Sequence, residues 1–224
     1  MKNQFWLLDD VNLFQVMCPN KLQAREQQNE HYKHFEKGET VYFTDDPAST
    51  MYLIASGKVR ILNYSENGDE VVRAILGKGE MFGELALLGE EKRTEIAEAM
   101  DENTTLCPLK VDQVFDLMKD NQEFTFKIYK WLGFRLKKLE RRIDNLVFKD
   151  VRSRLMDFIK ELALEKGEKE GEYLKIDHFY THKNIANLIG TSRQTVTTTL
   201  NELREEQLIE FDRKSIVVKD LSAF

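Results

Sequence analysis

Hydrophobic positions change their spacing along the chain, and these changes predict where strands give way to helices. From about residue 31 to residue 111, short runs of Val, Ile, Tyr and Phe alternate with glycine-containing turns. Short strands at this spacing predict an antiparallel β-barrel or jelly roll. Asn67 and Gly68 between two such runs predict a type I′ hairpin turn. Before the strands, residues 5–28 indicate short helices or turns whose apolar side chains pack on the strand region.

Helical spacing begins at residue 111 and predicts three successive helices, over residues 111–120, about 122–148 and about 151–166. Along the long second helix, apolar residues recur at alternating intervals of three and four, with basic residues on the other faces. This stripe could pack on the helix's own domain or on an identical helix. Its narrowness and basic flanks favour a parallel homodimer. The predicted dimer seam is Tyr129, Leu132, Leu136, Leu139, Ile143 and Leu146.

The last quarter of the chain has the pattern of a helix-turn-helix. After a polar loop at 166–171, Ile185 and Ile189 stand at helical spacing and are followed by Gly190. Glycine supplies the positive φ of a tight turn, and Ser192 is a suitable N-cap for a second helix. Residues 208–218 then predict strand, turn and strand, which is the wing of a winged helix.

The second helix of this pair carries side chains that suit double-stranded DNA. Arg193 is expected to read guanine, Gln194 adenine, and Thr198 to contact DNA more weakly, with Thr197 on the same exposed side. A helical hairpin with a polar outer face is the alternative. Threonine is a mediocre helix former, so a helix seldom exposes several threonines for solubility alone, and their presence favours DNA binding. The expected phosphate anchors are Thr181, Lys183, Ser192 and Thr195, with Arg213 and Lys214 reaching the backbone from the wing.

Charge and hydropathy limit the partners of the chain. The 224 residues carry a net charge of −6, with an acidic stretch at 1–126, a basic one at 127–154 and a nearly neutral C-terminal region. DNA binding is therefore expected to depend on a few placed contacts and on dimerisation. No stretch is apolar enough to span a membrane, and Asp9 and Asp10 interrupt the N-terminal apolar run. These features predict a cytoplasmic protein with no membrane partner.

The sequence lacks the residue patterns that enzymes and metal sites require. Cys18 and Cys107 are isolated, so reduced cysteines are expected and an iron–sulfur cluster is excluded. His31 and His34 are three residues apart in a strand, and so they point to opposite faces and cannot share a metal. There is no His-x-His pair, serine elbow, Cys–His constellation or Walker loop. The sequence predicts a non-enzyme, without catalytic residues or a metal.

A β-roll, a long dimer helix and a C-terminal winged helix-turn-helix together resemble the catabolite activator/FNR family of bacterial transcription regulators, over essentially the whole chain. The segment Gly79–Leu88, followed by Arg93 and Thr94, looks like the phosphate-binding cassette of cyclic-nucleotide-binding domains. The resemblance implies an α+β fold with an effector-sensing β-roll and flanking short helices at 1–121, a dimerisation helix and hinge at 122–149, and a winged helix-turn-helix at 150–224. Its implied effector-binding residues are Gly83, Glu84, Leu85, Ala86, Arg93 and Thr94.

The cassette residues have a chemistry that suits a phosphate ester. Gly83 would open a short helix whose free N–H groups accept an anion, and Arg93 and Thr94 would add donors. Glu84 would accept a hydrogen bond from a ribose hydroxyl. Alternatively, Arg93 pairs with a neighbouring acid, Glu90 or Glu91.

The resemblance also implies partners, and the sequence departs from the family at three places. Candidate effectors are cAMP and cGMP; a different nucleotide, another anion, or a purely structural β-roll without a ligand are the alternatives. The expected partners are a pseudo-palindromic operator, a second copy of the chain and RNA polymerase. Family members that bind cAMP usually have a small residue at Glu95 and a Thr-Ser pair at the positions of Leu139 and Glu140. Gln194 and Thr198 imply a half-site that differs from the family's TGTGA.

Overall fold

The N-terminal part of the chain folds into short antiparallel strands, as predicted. The computed structural model describes residues 32–171, 173–177, 180–212 and 214–224. The helices expected within 5–28 lie outside these residues. The strands are β1 (Lys33–Phe35), β2 (Thr40–Tyr42), β3 (Thr50–Ser56), β4 (Val59–Tyr64), β5 (Glu70–Leu76), β6 (Met81–Phe82), β7 (Ile96–Ala99) and β8 (Thr104–Lys110).

Two four-stranded antiparallel sheets form this β-roll, in the orders β1-β8-β3-β6 and β2-β7-β4-β5. Their inner faces share one apolar core, in which Ile54 and Leu106 of the first sheet join Val59 and Ala97 of the second. Alternate residues along a strand point to opposite faces, so each strand contributes every second side chain to this core. The predicted antiparallel roll is confirmed.

The hairpin between β4 and β5 differs from the prediction. The loop spans residues 65–69, with the Gly68 N–H donating to the Ser65 carbonyl at 2.9 Å and the Ser65 N–H donating to the Asp69 carbonyl at 2.9 Å. Gly68 has a φ of +80°, but Asn67 does not have a positive φ. A type I′ turn needs positive φ at both central residues, so that prediction is wrong. Gly68 is instead the fourth residue of a turn that begins at Ser65.

Three helices succeed the roll with the predicted bounds: α1 (Val111–Asp120), α2 (Gln122–Phe148) and α3 (Val151–Lys166). The first half of α2 buries Phe124, Ile128 and Trp131 against the roll's second apolar cluster. Asp150 caps the start of α3, because its carboxylate accepts a hydrogen bond from the Ser153 N–H at 2.7 Å. Contacts divide the chain into two compact units, one ending at Leu136 and the other beginning at Lys137.

The C-terminal unit contains the predicted winged helix-turn-helix. Its elements after α3 are β9 (Glu168–Glu170), β10 (Tyr173–Asp177), α4 (His182–Ile189), α5 (Arg193–Glu205), β11 (Ile209–Phe211) and β12 (Ser215–Val218), with the sheet order β11-β12-β10-β9. The stretch 166–171, expected to be a loop, contains β9, because it pairs with β10 in a hairpin. Across the described ranges, no helix combines the length and apolarity needed to cross a membrane.

Candidate effector site and nucleic-acid interface

Gly83 begins the short helix that the cassette pattern predicts. It has a φ of +75° and precedes a 3₁₀ helix, Glu84–Leu88. A Cβ atom at this position would lie 3.0 Å from Nη1 of Arg93 and 3.2 Å from the carbonyl oxygen of Thr50. Both the backbone conformation and the close approach of the guanidinium therefore require glycine.

Arg93 lies beneath this turn with only 3% of its surface exposed. Its Nη1 donates to the Gly83 carbonyl at 3.1 Å, its Nη2 donates to the Thr50 carbonyl, and its Nε has no hydrogen-bond partner. The guanidinium carbon lies 4.4 Å from the centroid of the Tyr42 ring. No ion pair joins Arg93 to any carboxylate of the described residues, so the alternative pairing with Glu90 or Glu91 is wrong. A buried cation without a counter-ion is costly, and it favours an anionic ligand.

The other cassette residues divide into buried and exposed positions. Glu84 and Ala86 are buried with Gly83, while Leu85 is 38% exposed. Thr94 is also exposed, and its hydroxyl donates to Oε1 of Glu90 at 2.8 Å. The predicted residues therefore converge on one site, but the Thr94 donor must leave Glu90 before it can reach a ligand.

Arg135 joins this site from α2 and belongs to none of the motifs predicted from the sequence. Its Nη2 lies 3.0 Å from Oε1 of Glu84, and its Nη1 donates to the Met81 carbonyl at 3.0 Å. Its position could have indicated this role. Arg135 continues the buried stripe of Ile128 and Trp131 at helical spacing, and a charge on a buried stripe implies a partner.

Glu95 is half-buried beside Tyr42. It directly precedes β7, where the alternate residues Ala97 and Ala99 are fully buried. The Tyr42 hydroxyl donates to Oε1 of Glu95 at 3.0 Å. Burial raises the pKa of Glu95, the hydrogen bond from Tyr42 opposes the rise, and the charge of Glu84 adds to it. Burial likewise raises the pKa of Tyr42.

The predicted dimer seam is largely uncovered in the single chain. Tyr129, Leu136, Leu139, Ile143 and Leu146 are between 46% and 63% exposed. Leu132 differs from the other five, because it is partly buried against the core of its own roll. An apolar stripe of this size along one helix is suited to a partner surface.

The turn between α4 and α5 is built as the sequence predicts. Gly190 has a φ of +69°, and the Ser192 hydroxyl caps α5 by accepting from the Thr195 N–H at 3.1 Å. Thr181, expected to anchor a phosphate, is the N-cap of α4 and accepts from the Asn184 N–H at 3.1 Å. Thr181 and Ser192 therefore hold the two helix starts, and their exposed position leaves them near any DNA bound to this face.

Arg193, Gln194 and Thr198 lie exposed along α5, where base-reading side chains are expected. Thr197 was expected on the same side, but it is half-buried, and its hydroxyl donates to the Arg193 carbonyl at 3.0 Å. Nδ1 of His182 lies 2.8 Å from the same hydroxyl oxygen. The predicted exposure of Thr197 is wrong because the start of α4 covers it. Burial, followed by the charge of Arg193, lowers the pKa of His182.

The remaining sequence candidates occupy varied positions. Lys183 and Lys214 are exposed and Thr195 is half-buried, whereas Arg213 lies outside the described residues. His34 contacts the Thr105 hydroxyl at 3.1 Å. Among residues whose placement is described, no three His, Cys, Asp or Glu side chains form a metal site.

Arg154 on α3 connects the ends of two helices and belongs to none of the motifs predicted from the sequence. Its Nε donates to the Ile189 carbonyl at 2.8 Å and its Nη2 to the Gly190 carbonyl at 3.1 Å, at the end of α4. Its Nη1 donates to the carbonyl of Lys149, just after α2, at 2.8 Å. Arg154 therefore ties the helix-turn-helix to the hinge after the long helix.

Comparison with known proteins agrees with this architecture. Residues 32–121 match the model of the cyclic nucleotide-binding domain, and residues 153–224 match that of the Crp-like helix-turn-helix domain. The global nitrogen regulator of Nostoc sp. is 32% identical over 185 residues, covering 82% of this chain and 83% of that protein. The cyclic AMP receptor protein of Thermus thermophilus is 31% identical over 186 residues, covering 83% and 82%.

A solved structure of a CooA variant from Carboxydothermus hydrogenoformans has a TM-score of 0.76 and 26% identity, covering 96% of this chain and 94% of that one. Another, a CRP/FNR-family transcriptional regulator from Thermus thermophilus, has a TM-score of 0.65 and 26% identity, covering 86% and 95%. Both domains are thus present in the order found in these regulators. The chain belongs to the Crp/Fnr family of transcription regulators.

Proposed function

We propose that the chain is a homodimeric, sequence-specific DNA-binding regulator whose β-roll senses a cyclic nucleotide. The observation that carries the effector assignment is the buried guanidinium of Arg93, which has an unpartnered Nε and no carboxylate paired with it in the described part of the chain. A cyclic phosphate would supply the missing negative charge. The match to the cyclic nucleotide-binding domain supports the same interpretation.

Each cassette residue has a role in this proposal. The N–H groups that open the 3₁₀ helix after Gly83 are without intrahelical partners and would donate to phosphate oxygens. Arg93 would neutralise the phosphate, and Thr94 would turn from Glu90 toward it. Glu84, held by Arg135, would accept a hydrogen bond from the ribose. Leu85 and Ala86 would line the turn beside the ligand.

The identity of the base is a separate question. Leu139 and Glu140 on α2 are exposed and carry no hydroxyl group for an adenine. Selectivity for cAMP over cGMP therefore has no support from these two positions, and both nucleotides are candidates. The similarity to the cyclic AMP receptor protein of Thermus thermophilus supports cAMP as the effector.

A parallel dimer along α2 would cover the exposed seam. Its a/d spacing suits packing against an identical helix, and the five exposed apolar side chains would leave water. Dimerisation would also present two copies of α5, as a pseudo-palindromic operator requires.

On DNA, α5 would enter the major groove. Arg193 would read guanine, with Gln194 and Thr198 as further base contacts, and Lys183 would contact phosphate. Thr181, Ser192 and Thr195 would add polar groups near the backbone. Thr197 would support α5 from below, since its hydroxyl already contacts the Arg193 carbonyl. RNA polymerase is the expected partner of the DNA-bound dimer.

Effector binding would control DNA binding if the ligand prefers one arrangement of the dimer. A change from almost fully inactive to almost fully active requires about a 10⁴-fold preference, and smaller preferences give graded control. The Arg154 bridge provides a connection from the end of α2 to the turn before α5.

Isothermal titration of the full-length protein with cAMP and with cGMP tests the proposal. Saturable binding that is lost in Arg93→Ala, but kept in the charge-matched control Lys92→Ala at the exposed neighbouring position, is expected. Equal binding by both variants would refute the role of Arg93. The absence of heat with either nucleotide in the wild-type protein, at every pH tested, would favour a β-roll that is purely structural.

A further inference from the structure

Glu95 is the feature of the effector site that a phosphate-binding pocket does not explain. Glu95 is half-buried and, besides Glu84, brings a second carboxylate close to Tyr42. Tyr42 lies between this carboxylate and the cation, because its ring contacts Arg93 and its hydroxyl donates to Glu95. Arg93, which would attract an anion, and Glu95, which would repel one, therefore contact the same buried residue, Tyr42.

We infer that Glu95 opposes the binding of an anionic ligand beside Arg93 and makes that binding depend on proton uptake by the Glu95 carboxylate. The inference rests on the proposed effector function and deepens it. A carboxylate held in place by Tyr42 cannot turn to solvent without breaking a partly buried hydrogen bond. Binding of a phosphate would thus leave two like charges on the same side of the roll unless one is neutralised.

The surroundings of Glu95 determine how easily it takes up a proton. Four groups act on it: Tyr42 on β2, Glu84 at the start of the 3₁₀ helix, Arg73 on β5 and Arg135 on α2. Burial raises its pKa and Glu84 adds to the rise, while the hydrogen bond from Tyr42 and the two arginine charges lower it. Arg135 forms an ion pair with Glu84, and the Tyr42 hydroxyl donates to Glu95.

The sign of the pH dependence is set by these charges. A bound phosphate disfavours the ionised carboxylate, so the pKa of Glu95 is higher in the complex than in the free protein. Below both values, affinity is at its maximum and independent of pH. Between them, affinity falls by about tenfold per pH unit as pH rises, because binding takes up one proton. Above both values, affinity is constant and low.

Replacing Glu95 with its neutral isostere gives the sharpest test. Calorimetric titrations with cAMP and cGMP from about pH 5.5 to about pH 8.5, in two buffers of different ionisation enthalpy, measure affinity and proton uptake together. Glu95→Gln should bind on the order of tenfold more tightly than the wild type at high pH and should take up no proton. Glu91→Gln makes the same charge change at an exposed position nearby, and it should retain the wild-type pH dependence.

Tyr42→Phe provides a second variant that keeps the aromatic ring against Arg93. Loss of the donor hydroxyl should raise the pKa of Glu95, and the fall in affinity should move to higher pH. Glu95→Gln with unchanged affinity and unchanged proton uptake would overturn the inference, even if both nucleotides bind. Failure of every protein to bind either nucleotide at every pH would instead refute the proposed effector, and with it the inference. Binding by Glu95→Gln alone at high pH would support both.

Discussion

The Arg154 bridge allows a quantitative prediction about how the helix-turn-helix is held. Arg154→Ala removes three hydrogen bonds from a cation to the carbonyls of Ile189, Gly190 and Lys149. Only the bond to Ile189 is partly buried. The other two are exposed, so water partly replaces them in the variant. The change also removes a positive charge from the C-terminal ends of two helices, each interaction being worth about 0.3–1 kcal/mol.

Together these losses should destabilise the C-terminal unit by about 2–3 kcal/mol. Arg154→Lys keeps the charge near the helix ends but loses the planar fork, so it should recover about 1 kcal/mol of this. Arg152→Ala is the matched control two residues earlier on α3. Arg152 forms surface ion pairs with Glu206 at 2.5 Å and Glu202 at 3.9 Å, and such pairs contribute about 0–1 kcal/mol.

Hydrogen exchange read by mass spectrometry is the suitable assay. Both tryptophans, Trp6 and Trp131, precede residue 137, so their fluorescence does not report on the C-terminal unit. In Arg154→Ala, amides of α4 and α5 should exchange about 30- to 150-fold faster, as a loss of about 2–3 kcal/mol implies. Exchange no faster than in Arg152→Ala would show that the three hydrogen bonds do not hold the turn, and would refute the reasoning.

The DNA-reading helix, the dimer seam and the cassette each give one more prediction. Arg193→Ala should weaken binding to a specific operator by about 1–3 kcal/mol and relax selectivity at one base, whereas Lys183→Ala should weaken specific and random DNA alike; fluorescence anisotropy on both DNAs distinguishes them. Equal losses in Arg193→Ala on both DNAs would contradict base reading. Ile143→Asp places a charge within the seam, where Ile143 is 60% exposed, and should yield monomers in sedimentation; a dimer that persists would contradict the seam. Gly83→Ala should reduce nucleotide affinity by about tenfold or more in calorimetry, because its Cβ would displace the guanidinium of Arg93 at a positive φ; wild-type affinity would contradict the proposed geometry.

Much of the fold is encoded in local patterns, because helix and strand bounds depend mainly on periodicity and capping. The bounds of α1, α2 and α3, the N-cap Ser192 and the left-handed Gly190 were all predicted from neighbouring residues. Errors arose where the prediction needed pairing or loop length. The stretch 166–171 has the composition of a polar loop, and it contains a strand because β10 pairs with it. The division of the chain at 1–121, 122–149 and 150–224 stays a prediction.

The candidate site was predictable only in part, for a similar reason. The cassette is contiguous in sequence, and Gly83 and Arg93 identify it. Arg135 is 51 positions from its partner Glu84, so no local pattern joins the two. Thr197 falls on the polar side of an isolated α5, but the preceding helix covers it in the fold. Contacts between elements determine the partner of Arg135 and the burial of Thr197, and the sequence of a single element does not indicate those contacts.

The central claim is that a cyclic nucleotide in the β-roll controls DNA binding by α5. The most direct measurement is the affinity of the full-length protein for an operator obtained by in vitro selection, titrated in the absence and presence of saturating cAMP or cGMP, for the wild type and for Arg93→Ala. We expect one of the nucleotides to change the wild-type affinity at least several-fold and Arg93→Ala not to respond. An operator affinity that neither nucleotide changes, in a protein that binds the nucleotide, would contradict it.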